Sequence, residues 1–155
     1  MTYEIFKFLH ITGVVMLMGN ITVTAFWKVF ADRTGDARIV AFAQKLVTYT
    51  DWSLTAWGIV LTMVGGYGAA WVAGIDLIAT GWLFWSQLLF VAAGLIWLLI
   101  LVPIQMRQGR QAKIFAAGGA IPDAYKRDSR TWIVWGLIST VPLVAALWIM
   151  IAKPG

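Results

Sequence analysis

Residues 77–106 read LIATGWLFWSQLLFVAAGLIWLLILVPIQM, a run with no Asp, Glu, Lys or Arg. About 20 apolar residues cross the hydrocarbon core of a bilayer as a helix, and this run exceeds that length. In lipid it must be helical, because its backbone groups find no water to bond. Working outward, three further runs free of formal charge are long enough to cross: Phe8–Trp27, Trp52–Ile75 and Thr131–Ala152. The whole chain of 155 residues is 61% hydrophobic and only 12% charged, whereas charged residues make up about a quarter of a soluble domain. The expected architecture is therefore all-α: an integral membrane four-helix bundle forming one domain over residues 1–155, with spans at about 5–30, 50–74, 79–106 and 130–152. The first span does not read as a cleavable signal, since Glu4 accompanies Lys7 before it and no small-residue cleavage pattern follows.

Charge placement sets the expected orientation. The formal net charge is +5, but the basic residues gather in two connections. Lys28, Arg33, Arg38 and Lys45 occupy the first, and Arg107, Arg110, Lys113, Lys126, Arg127 and Arg130 the third. The second, around AGIDLIATG, has none. The positive-inside rule puts the basic connections in the cytoplasm and both termini outside, with two helical hairpins extending into the cytoplasm. The basic charge then reflects topology, and no nucleic-acid partner is expected. Tryptophans fit the same scheme: Trp27, Trp52, Trp132 and Trp135 mark the inner interface, Trp71, Trp82, Trp85 and Trp148 the outer one, and Trp57 and Trp97 fall deeper. Gly35-Asp36 reads as a turn and N-cap, after which Ile39, Phe42 and Leu46 keep helical spacing. Span three is expected to run to about Ala117, and Pro122 to restart a helix after GGAIPDAY begins.

On a helical wheel His10, Gly13, Leu17, Asn20, Thr24 and Lys28 fall in one arc of span one, a polar stripe that should face other helices. In span two, VGGYGAA pairs Gly65 with Ala69 and Gly66 with Ala70, a spacing that permits close backbone approach. Pro103 and Pro142 should bend their helices. Asp51 is the carboxylate nearest the apolar region, and Lys28, Arg107 or Arg130 is its expected ion-pair partner.

Counting residues excludes most chemistries. The absence of cysteine removes thiolate metal sites, iron–sulfur clusters and cysteine nucleophiles. The single histidine, His10, cannot build a histidine-rich zinc site, and no elbow motif surrounds Ser86 to make a serine nucleophile. Imidazole is nonetheless a good haem ligand, alone, with a methionine such as Met63 or Met150, or paired across two subunits. Lys7 and the outer tryptophans Trp82 and Trp85, with Gln87, would shape a pocket around it. Two readings of His10 stay open: a haem b axial ligand, or a buried hydrogen-bonding group.

KFLHITG near the start, DW opening span two, AGGAIPDAY before span four and AKPG at the end make the whole chain resemble a bacterial family of integral membrane proteins of unknown function. That resemblance implies a multi-pass protein of the bacterial inner (plasma) membrane, in contact with lipid. FKFLHITGVV, with GWLFWSQLLF, is also similar to the first and third helices of the HemJ-type protoporphyrinogen oxidases, four-helix membrane proteins that bind haem. The similarity implies that His10 is a haem iron ligand. Where that family carries an important third-helix lysine, this chain has Ser86 and Gln87. The competing expectation is an accessory or scaffold subunit, in a homo-oligomer or a larger membrane complex, and behind it a small transporter.

Overall fold

The computed structural model describes residues 1–154, so the last glycine of AKPG lies outside the described residues. Four long helices follow one another: α1 (Thr2–Thr34), α2 (Ala37–Val72), α3 (Gly81–Phe115) and α4 (Asp123–Ala152). The described residues contain no strand. At 1.5 Å per residue, helices of 30 to 36 residues measure roughly 45–54 Å, more than the ~30 Å hydrocarbon thickness. They must project beyond it, as the expected hairpin extensions require.

Each end has a local cause. The chain leaves α1 through Gly35, whose φ of 66° is left-handed and suits glycine. Asp36 then caps α2, its Oδ1 accepting from the N–H groups of Arg38 (2.8 Å) and Ile39 (3.2 Å). Asp36→Ala should cost about 1 kcal/mol, read as a small drop in the thermal midpoint of the detergent-solubilised protein. The α2–α3 loop is fixed by Asp76, which accepts from Ile78 and Ala79 at 2.8 Å each. Those two bonds hold its carboxyl below the usual range. α3 stops at Phe115, slightly before the expected Ala117, and α4 starts at Asp123 directly after an extended Pro122.

Helix pairing is uneven along the bundle. α1 packs on α2 over most of its length, and α3 on α4, while the backbones of α2 and α3 come close only through residues 37–50 and 102–115, with side chains of Asp51, Trp52 and Trp97 meeting just beyond. The two hairpins are thus joined at the basic end and part from each other toward the termini. The joined end has its own core, in which Val40, Ala41, Ala112, Phe115 and Tyr125 are buried together. The buried face of α2 there is Val40, Ala43, Gln44 and Val47; Ile39 and Phe42 keep the expected helical spacing but lie exposed. Apolar residues that face away from the bundle, such as Phe8, Leu99 and Val141, are all more than 60% exposed, as a lipid-facing surface requires.

The stripe on α1 turns inward as expected. Gly13, Leu17, Asn20, Thr24 and Lys28 are buried, and His10 is half-buried at the terminal end. Gly13 and Gly65 allow the α1–α2 contact: a Cβ on Gly13 would overlap Thr62 N, and one on Gly65 would overlap the backbone of His10 and Phe6. Asn20 Nδ2 donates to Thr55 Oγ1 at 2.9 Å, tying the pair lower down.

Asp51 departs from expectation. No cation pairs with it among the described residues; instead Trp97 Nε1 donates to its Oδ2 at 3.0 Å. Two of its three expected partners are engaged elsewhere, and Arg130 makes no ion pair among the described residues. Lys28 Nζ sits 2.7 Å from Asp32 Oδ2, one turn on along the same helix, and also donates to Tyr125 OH and Ser129 Oγ. Arg107 makes a two-pronged pair with Asp128 across α3 and α4. The Trp97 ring also packs edge to face on Trp52, with centroids 6.3 Å apart.

Both residues of that bond open a widened turn. Residues Asp51–Thr55 and Trp97–Leu101 are π-helical, with Ala56 N bonded to Asp51 O and Val102 N to Trp97 O. In α3 the cause is Pro103, which has no N–H and crowds the carbonyl of Leu99. The α2 turn has no proline, and its widening accompanies the Asp51 contact alone.

Candidate functional site

Where the hairpins part, a cavity of about 290 Å³ opens at the terminal end between α1, α2, α3 and α4. It draws its walls from residues far apart in sequence: Lys7, His10, Met63, Trp82, Gln87 and Met150 all line it. The hydrophobic runs supply apolar walls, and the polar face of α1 supplies the imidazole.

The geometry around His10 is specific. Its Nδ1 lies 2.8 Å from the main-chain carbonyl oxygen of Thr62 on α2. A carbonyl only accepts, so neutral His10 carries its proton on Nδ1 and donates it there. Nε2 is left with a lone pair and has no hydrogen-bond partner among the described residues. Gly66 provides the space for the ring, because a Cβ at that position would stand 2.9 Å from Nδ1 and 3.2 Å from Cε1. His10 lines the cavity with Nδ1 on a backbone acceptor and Nε2 unpartnered; a backbone acceptor on one ring nitrogen is the arrangement that orients metal-ligating histidines.

The remaining site residues divide. Lys7, one turn before His10, is exposed and makes no ion pair among the described residues. Gln87 is partly committed: its Nε2 donates to Leu77 O (2.9 Å) and Leu83 O (3.1 Å), which leaves Oε1 as its free acceptor. Ser86 is buried and donates to Trp82 O within its own helix, so it is not available as a nucleophile. Trp82 lines the cavity with Lys153 Nζ 5.3 Å from its ring centroid. Trp85 does not line it: it is 56% exposed and packs edge-on against Phe84. Helical geometry accounts for the correction, since adjacent residues point about 100° apart and Trp85 directly precedes buried Ser86. Lys153 was missed by sequence reasoning; its place after an apolar run at the chain end was the available signal.

Among the described residues no three His, Asp or Glu side chains gather as a metal-binding cluster.

Four helices long and apolar enough to span, with lipid-type exposed faces and a cavity between them, define a polytopic membrane protein. The chain belongs to the family of predicted integral membrane proteins DUF2269, whose model matches residues 4–154. No curated protein and no solved structure matches it.

Proposed function

We propose that this protein is a haem b-binding redox protein of the bacterial inner membrane, with the terminal end outside and His10 Nε2 as axial ligand. One observation carries the reading: the Nδ1 contact to Thr62 O at 2.8 Å in a residue that lines the cavity, which leaves Nε2 as the nitrogen free to bind a metal. The donor set fits. Met63 and Met150 bring thioether sulfur to the same cavity, Lys7 and Lys153 bring positive charge suited to porphyrin carboxylates, and the remaining walls are apolar. When bound, haem iron supplies one-electron chemistry; the chain's part is to hold the imidazole, exclude water and neutralise the carboxylates. The oxidase reaction of the HemJ-type enzymes is not part of the proposal, because Ser86 is spent on Trp82 O and Gln87 stands where that family has a lysine.

Haemin titrated into the purified full chain should bind with one-to-one stoichiometry and give a sharp Soret band. His10→Ala should weaken binding by more than the roughly 10–100-fold typical of losing an outer-shell partner, and millimolar imidazole should restore the band. Unchanged binding in His10→Ala would overturn the assignment.

A further inference from the structure

On the basic side of the His10 cavity, the hairpins enclose a second cavity, also about 290 Å³. Leu17, Phe90 and Leu143 line both spaces and form the apolar partition between them. The second space has largely apolar walls, including the aromatic rings of Phe26, Trp97 and Trp132, with a small set of converging polar groups. Asp51 offers a carboxylate that accepts from Trp97 Nε1 and is also approached by the Thr55 and Gln105 side chains, with no cation among its partners. Gln105 is 3% exposed and its Oε1 has no partner; Trp132 is 9% exposed and its Nε1 has none.

Asp51 is the exceptional acid among the seven in the chain. Glu4, Asp32, Asp123 and Asp128 each pair with a cation. Asp36 and Asp76 accept main-chain N–H groups at exposed turns. Asp51 has neither, although a carboxylate within a membrane bundle is costly without a cation. The widened π turns that start at Asp51 and Trp97 reinforce the point, because single π turns inside long helices recur at functional sites. A carboxylate with hydrogen bonds but no cation, an orphaned carbonyl oxygen and indole walls together suit a ligand with positive charge, N–H donors and a hydrocarbon body.

We propose that this cavity binds a lipophilic organic cation, a protonated alkylamine. Its ammonium bonds to Asp51 and Gln105 Oε1, and its chain lies against the aromatic walls. Trp132 Nε1 is placed to donate to a hydroxyl on such an amine.

Equilibrium dialysis of radiolabelled octylammonium against the purified full chain in nonionic detergent, with a protein-free micelle blank, tests the proposal. Saturable binding of one octylammonium per chain is expected, displaced by unlabelled octylammonium but not by octanol or octanoate. Asp51→Asn should weaken it roughly tenfold or more, the loss of one charge-assisted contact. Gly94 and Gly136 also line the cavity, and a Cβ at either meets nothing within 4 Å. Gly94→Leu and Gly136→Leu should therefore fill the space while leaving the fold intact, and should abolish binding even if Asp51→Asn does not fold. His10→Ala should bind octylammonium as the parent does, which separates this site from the haem reading. Octanol competing as well as octylammonium, binding no greater than the micelle blank, or wild-type binding in both glycine variants would overturn the proposal.

Discussion

Lys28→Met should lower the thermal midpoint of the solubilised protein by about 10 °C. Lys28 Nζ is wholly buried and donates to both Asp32 oxygens, at 2.9 and 2.7 Å, to Tyr125 OH at 2.9 Å and to Ser129 Oγ at 3.1 Å. Ser129 in turn donates to Asp32, and Tyr125 donates to Gln44 Oε1 at 3.3 Å. One ammonium thus ties α1 to α4, and through Tyr125 to α2, at the end where the hairpins join. Removing one partner of a buried pair costs about 3–5 kcal/mol, because the other charge is left uncompensated. Asp32 is 22% exposed, which places the loss at the lower end. At roughly 2–4 °C per kcal/mol for a chain of this size, a drop near 10 °C follows. The double variant Lys28→Met, Asp32→Leu should recover a large part of it. If the single variant melts with the parent, or the double variant melts lower still, the network does not hold the hairpins together.

Gly65→Val should have the next largest effect. A Cβ at Gly65 would overlap the backbone nitrogen and Cα of His10 and the carbonyl of Phe6, all main-chain atoms that no rotamer change can move. The helices must separate, and overpacking of this kind costs about 1–3 kcal/mol, sometimes more. Because His10 is the residue struck, haemin affinity should fall together with stability. Gly19→Val on α1, where a Cβ meets nothing within 4 Å, is the control and should leave both unchanged. Equal melting of the two variants would contradict the close α1–α2 crossing.

These features differ in how far the sequence announces them. The four spans follow from charge-free runs longer than a bilayer is thick, a signal that needs no partner residue. The α1 stripe is similarly local, because helical spacing alone aligns Gly13, Leu17, Asn20, Thr24 and Lys28, and all five are buried. Gly65 is legible as a close-contact position for the same reason. Pairings between helices are not. Lys28 and Tyr125 are 97 positions apart, and charge matching by depth offers Lys28, Arg107 or Arg130 to Asp51 while overlooking Asp32, one turn from Lys28. Asp51 and Trp97 meet across 46 positions through a hydrogen bond that charge reasoning does not consider. His10 was legible as a candidate by its rarity, yet the Thr62 carbonyl that fixes its tautomer belongs to the backbone and carries no side-chain signature. The second cavity was missed because its polar atoms are spread over α2, α3 and α4, each unremarkable alone.

The most direct test of the account is the absorbance spectrum of the full chain purified in mild detergent from haem-replete cells. A Soret band at about one haem per chain, lost in His10→Ala, is the predicted result. A colourless, folded protein that also fails to take up added haemin would contradict the assignment of His10 as an axial ligand.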